Sequence, residues 1–199
     1  YARRQEGGWN SVALAGGAGL PVTALLADEG GMWVGTGGAG LWHCAASGSC
    51  SHQDRLPAQK IHAVLADGRG RLWVTSDRGL YRSDGGEWTT AAIGSALPGS
   101  ELDALFQDTA GRIWVGSRTG GVVRLEEGRI THLSPDHRFP EGEIHALLET
   151  QDGILWLGTA GGLVSYDGEQ FAPHRQGLPH PAVYALAESP SGDLWIGTG

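Results

Sequence analysis

Apolar and polar positions in this chain fall into short runs separated by glycine-rich breaks. From Ile61 to Ile93 the order is "IHAVLAD", a turn "GRG", then "RLWVTS" and a turn "DRG". "LYRS", a tight turn "DGGE" and "WTTAAI" complete it. Short runs rich in β-branched, aromatic and aliphatic residues between such turns predict four antiparallel strands joined as a meander. A helix would need apolar residues three and four apart over a long window, and that spacing is not found here.

The unit recurs. Tryptophans stand at Trp33, Trp73, Trp114, Trp156 and Trp195, at spacings of 40, 41, 42 and 39 residues. Three residues before each is a glycine (Gly30, Gly70, Gly111, Gly153, Gly192). Three after each is a hydroxyl residue (Thr36, Ser76, Ser117, Thr159, Thr198). Four strands per repeat of about 40 residues predict a β-propeller. The fold class is therefore all-β, with four-stranded antiparallel blades. About five blades are expected: four intact, and one split between the chain ends.

The repeats run over 22–60, 61–101, 102–143 and 144–182, with the split blade from 183–199 plus 1–21. "YARRQEGGW" at the start aligns with "YRSDGGEW" from Tyr81, which matches Trp9 to Trp88. Residues 1–199 are read as a single propeller domain or as a fragment of a longer one, and both readings stay open. An open arc would expose apolar blade faces and strand edges, so ring closure or self-association through those edges is the expectation.

Each first strand follows a proline (Pro21, Pro57, Pro98, Pro140, Pro179). Proline has no N–H for a central ladder, so it marks the loop before the strand. The tryptophans are expected to be structural, each wedged between neighbouring blades. Burial of one indole is worth at most about 4–6 kcal/mol, from roughly 150–250 Å² of area. The glycine upstream suits a tight turn with positive φ.

Composition narrows the partners. Only 40% of residues are apolar and 18% are charged, while glycine reaches 34 without a collagen period. The formal net charge of −8 makes nucleic acid and anionic membrane poor partners. No apolar run is long enough to span a bilayer, so direct membrane insertion by this segment is not expected. No leader-like segment is visible and the chain begins at Tyr1, as a mature or excised piece would.

The stretches "DTAGRIWVGSRTGGV" (108–122) and "DGILWLGTAGGLVSYDG" (152–168) resemble the two-component regulator propeller repeat. The resemblance extends over essentially the whole chain in five copies. Three positions depart from it: Thr75 replaces a glycine, and Thr150 and Ser189 replace the turn aspartate, so those turns are candidates for a different construction. The resemblance implies a periplasmic or extracellular sensor portion of a membrane-bound signalling protein, whose outputs are kinases, response regulators or diguanylate cyclases. It implies a small-molecule or oligosaccharide ligand.

Cys44 and Cys50 fall on the third strand and the start of the fourth, facing across a hairpin. A disulfide there would contribute about 2 kcal/mol by loop entropy and would fit an oxidising compartment. Free thiols, or a metal site with His43 and His52, are the alternatives.

Each first strand opens as [VIL]-x-A-[LV], and x is Thr23, His62, Asp103, His145 or Tyr184. These residues, with Arg78 and Arg118 in the turns after the second strands, are expected on one rim and form the candidate ligand site. The alternatives are hydrogen bonds to a neighbouring blade or channel water, or a metal held by His62, Asp103 and His145. No catalytic triad, phosphate-binding glycine loop or paired-cysteine metal motif is found, and no cofactor is expected. A sensor module is the leading reading. A propeller lyase or glycan-acting enzyme with His62 or His145 as general base, and a purely structural or dimerisation segment, are the alternatives.

Overall fold

The computed structural model describes residues 2–5, 8–11, 14, 19–91, 102–119, 121–133 and 142–199. Pro98 and Pro140, and the expected strand end at 92–93, lie outside them. The chain divides into two compact units, Tyr1–Thr90 and Ala91–Gly199. Every regular element among the described residues is a β-strand. No helix there is long and apolar enough to cross a membrane.

The first unit opens on a hairpin of β1 (Ala2–Gln5) and β2 (Gly8–Ser11). Two four-stranded sheets follow. One holds β3 (Val22–Asp28), β4 (Gly31–Thr36), β5 (Leu41–Ala45) and β6 (Cys50–His52). The other holds β7 (Ile61–Ala66), β8 (Leu72–Ser76), β9 (Gly79–Asp84) and β10 (Glu87–Thr90). The second unit has a sheet of β11 (Leu102–Gln107), β12 (Ile113–Ser117), β13 (Val122–Glu126) and β14 (Arg129–Leu133). Next come β15 (Ile144–Glu149), β16 (Leu155–Thr159), β17 (Gly162–Tyr166) and β18 (Phe171–His174). A hairpin of β19 (Val183–Glu188) and β20 (Leu194–Thr198) closes the chain. Every strand pairs antiparallel with its sequence neighbour inside its own sheet, as a meander requires.

Burial lies between the sheets. In the first unit, Leu41 and the half-buried Trp33 pack with Ile61, Leu72, Val74 and Tyr81 of the next sheet. In the second, Trp114 is 1% exposed. It packs with Ile144, Leu157 and Tyr166 of the next sheet, and meets the Tyr166 ring edge-on at 5.6 Å. Trp73 and Trp114 also carry a guanidinium from the third strand. Arg82 lies 5.8 Å from the Trp73 ring centre, and Arg124 lies 5.9 Å from that of Trp114.

Trp195 departs from this pattern and corrects the expectation of five wedged indoles. It is 68% exposed. Its sheet has two strands among the described residues, β19 and β20, and no third strand described there lays a side chain across the ring as Arg82 and Arg124 do elsewhere.

The turns after the first strands share one backbone design. Gly70, Gly111, Gly153 and Gly192 have φ between +75° and +87°, where a side chain would be strained. The first sheet differs: Asp28 pairs with Gly31, leaving the two-residue turn Glu29–Gly30, and Gly30 has no positive φ. Thr75, in place of a glycine, is fully buried, and its Oγ1 accepts the Ala63 N–H at 2.9 Å. Cys44 and Cys50 are directly paired across β5 and β6 and joined by a disulfide.

Candidate functional site

Each first strand that begins a sheet contains an irregularity at its second residue. In β11, Leu102 opposes Ser117 and Ala104 opposes Gly116, so Asp103 is the extra residue. The same shift isolates His145 in β15, Tyr184 in β19, Thr23 in β3 and His62 in β7. A bulge releases one residue from the ladder and re-aims its side chain. Thus the variable polar position of each repeat is also the position that the backbone frees.

In the second unit this brings several candidates into one chain of contacts. The Arg118 Nε donates to Asp103 Oδ2 at 2.8 Å. One ligand-type atom each of Asp103, Glu143 and His145 lies within 4.8 Å of the others. His145 Nδ1 is 3.9 Å from Glu143 Oε2. The His145 ring stacks on Tyr184 with centres 4.7 Å apart and planes 28° apart. Tyr184 is 55% exposed, so the ring has open surface. Glu143 had no signal in the repeat, because the other copies have Pro21, Lys60, Glu101 and Ala182 there. Its backbone is fixed by the Ala160 N–H, which donates to its carbonyl at 3.0 Å.

Chemically, the patch offers two carboxylates, an imidazole, a guanidinium and an aromatic ring. Asp103, Glu143 and His145 are the residues that could hold a divalent cation, but Arg118 already supplies positive charge to Asp103. The combination suits a polar ligand that is stacked by one ring and fixed by a few directed hydrogen bonds.

The remaining candidates lie in the first unit. The Thr23 hydroxyl donates to the Ile61 carbonyl at 2.5 Å, so it ties β3 to the next sheet. His62 is half-buried on β7. Arg78 is exposed and lines a cleft of about 600 Å³ with Trp42, His52, Asp54 and Gln59. His43 turns to Asp28 and His52 to Asp54. With the two sulfurs bonded to each other, these groups do not form the alternative metal set.

The family model described as two component regulator propeller matches residues 138–161 and 177–199. These two stretches match the two component regulator propeller repeat. A sequence comparison with curated proteins returns no match. Among solved structures, the chain is similar to the extracellular domain described for the hybrid two component system BT4673 from B. thetaiotaomicron. Identity is 20% and the TM-score 0.77, over 89% of this chain and 26% of that one. The corresponding domain of BT3049 from the same organism gives 21% and 0.74, over 89% and 25%. Virginiamycin B lyase from Staphylococcus aureus gives 14% and 0.70, over 88% and 62%. The chain thus spans about a quarter of the length of the two sensor domains. These likenesses show the β-propeller fold.

Proposed function

We propose that this chain is part of the extracytoplasmic ligand-sensing propeller of a bacterial signalling receptor, and that its second unit binds a small polar ligand of the oligosaccharide class. The observation that carries the proposal is the convergence of three successive bulge residues, Asp103, His145 and Tyr184, with Arg118 and Glu143 beside them. The exposed Tyr184 face is the stacking platform. Asp103, Arg118 and Glu143 are the hydrogen-bonding groups that set orientation. The repeat family and the likeness to extracellular sensor domains support an extracytoplasmic location, as does the disulfide.

Calorimetric titration with a panel of neutral and uronic-acid oligosaccharides tests the reading. At least one member is expected to bind. Tyr184→Ala and Asp103→Asn should each weaken it by at least about tenfold, which is 1.4 kcal/mol. Unchanged affinity in both variants would remove the site.

A second reading, a propeller lyase, is favoured by His145 standing 3.9 Å from Glu143 and by the lyase likeness. In it His145 is the general base. His145→Ala would then abolish turnover while leaving binding measurable.

A further inference from the structure

The cleft of about 600 Å³ in the first unit is built by a turn poor in side chains and a loop that carries a proline. The turn after β4 reads "GGAG" (37–40), and the loop after β6 reads "QDRLPAQ" (53–59). Gly40 has a φ of +70°, and a Cβ there would lie 2.6 Å from His52 Nε2. Glycine at this place lets the imidazole lie over the turn backbone. The Gly40 N–H donates to the Gln59 carbonyl at 2.8 Å, which ties turn to loop. Leu56 and Ala58, each 5% exposed, anchor the loop in the core. Trp42 pairs with His52 across β5 and β6, two residues from the Cys44–Cys50 disulfide. Their ring centres are 4.8 Å apart, and the indole N–H is spent on the Ala39 carbonyl at 2.7 Å. This wall is fixed before any ligand arrives.

Two groups on the cleft are unspent. His52 Nδ1 lies 2.5 Å from Asp54 Oδ1, and a carboxylate only accepts, so Nδ1 carries the shared proton. The other ring nitrogen, Nε2, has no hydrogen bond among the described residues. It accepts from a hydroxyl while the ring is neutral and donates to one when the ring is charged. Arg78 is the second group. Its backbone N–H donates to Ser76 Oγ at 3.1 Å, but its exposed guanidinium has no ion pair among the described residues. Arg118, by contrast, is held by Asp103, Arg71 by Asp67 and Arg112 by Asp108. An unspent guanidinium fork matches a carboxylate with two parallel hydrogen bonds. Gln59 adds an exposed amide to the same lining.

We propose that this cleft is a binding site for a small organic acid that also carries hydroxyl groups. Arg78 holds the carboxylate, His52 Nε2 and the Gln59 amide bond the hydroxyls, and the Pro57 ring meets the carbon skeleton. A bare anion satisfies only the guanidinium, and a neutral polyol only the imidazole and the amide. The volume is in the range of small-molecule sites and admits a molecule of monosaccharide size. The proposal does not rest on the second-unit site, since every residue it uses lies within 38–78.

Two-dimensional amide NMR of the 199-residue chain, titrated with gluconate and with glucuronate, tests this. At least one acid should shift the amides of residues 38–40 and saturate. Glucose and acetate, each offering half of the groups, should bind at least about tenfold more weakly. Arg78→Gln replaces an exposed side chain, so it should keep the wild-type circular dichroism. It should weaken the acid by at least about tenfold and erase its advantage over glucose. No shift from either acid up to tens of millimolar overturns the proposal. Acetate binding as tightly as the acids does so too, because it marks a bare anion contact. Undiminished affinity in Arg78→Gln has the same force, as do shifts confined to the amides around Asp103, His145 and Tyr184, which place the acid in the second unit.

Discussion

The turn after β7 and the turn after β15 have the same backbone and different chemistry. In both, the residue just after the strand donates its N–H to the carbonyl four residues on, and a left-handed glycine closes the turn. The pairs are Asp67 with Arg71 and Thr150 with Ile154, each at 2.9 Å. At the first, the Asp67 carboxylate accepts the Arg69 and Arg71 N–H groups, Arg71 Nε and the Trp73 indole N–H, all between 2.7 and 2.9 Å. Asp108 repeats the design with Arg112 and Trp114. At the second, Thr150 Oγ1 accepts the Trp156 indole N–H at 3.1 Å and donates to Asp152 at 2.6 Å. Thr150 was a candidate for a differently built turn, but its backbone is unchanged, and only the acceptor for the indole has been exchanged. A single charged hub and a relay of neutral and charged groups therefore hold the same blade geometry.

The largest expected difference between the two lies in removing the hub. The Asp67 side chain is fully buried and that of Asp108 is 2% exposed. Asp67→Ala or Asp108→Ala strands an arginine, an indole N–H and the turn amides together. The cost should be about 3–5 kcal/mol per site, as for a buried pair broken from one side. Urea and thermal unfolding would read it. A loss below about 1 kcal/mol in both variants would mean that the carboxylate is not the hub.

Much of this architecture was legible in the residues. The tryptophan period and the glycine before it located every second strand. The first strands begin at Val22, Ile61, Leu102, Ile144 and Val183, where the repeated opening pattern put them. Cys44 faces Cys50 because a short hairpin leaves few other registers. The bulges were not legible, because no residue type marks them: the freed position is Thr, His, Asp or Tyr, and the cause is a register shift in the backbone. Glu143 escapes the repeat pattern because its position varies: Pro21, Lys60 and Ala182 stand there in three copies, and a glutamate only at Glu101 and Glu143. Trp195 was misjudged because its pattern is identical to that of Trp114, and exposure depends on what packs against the strand rather than on the strand's own residues.

Acid should separate the two turns next. Burial by itself raises the Asp67 carboxyl, but hydrogen bonds from the Trp73 indole, the Arg71 backbone and side chain, and the Arg69 backbone outweigh it and hold the group below its ordinary value of 3.8. A folded value below the unfolded one means that the contribution is complete above the ordinary value and is lost as pH falls through the lowered one. Thr150 carries no carboxyl to titrate. Asp152 beside it is also lowered, chiefly by the Thr150 hydroxyl and then by the Ile154 N–H, but it is exposed. Asp67→Asn should therefore flatten the dependence of stability on pH in the acid limb, even though it starts from a less stable protein at neutral pH. Chemical unfolding at a series of acid pH values would show it. A slope equal to wild type would break the distinction drawn between the turns.

The smallest effect belongs to the relay. Thr150→Ala removes the acceptor of the Trp156 N–H and frees Asp152, but Trp156 is only half-buried and water can take the place of the hydroxyl. The cost should be about 1 kcal/mol, a single replaceable hydrogen bond. Thr150→Asp asks whether the charge alone makes the hub. Residue 154 is isoleucine, where the other two turns have Arg71 and Arg112, and Asp152 already places a carboxylate within reach of the turn. A second carboxylate there has no guanidinium to answer it and a like charge beside it. The variant should be no more stable than wild type at neutral pH, as measured by its melting temperature. A clear gain would mean that the indole and the amides suffice to hold a buried carboxylate, and that Arg71 and Arg112 are incidental to the turns they close.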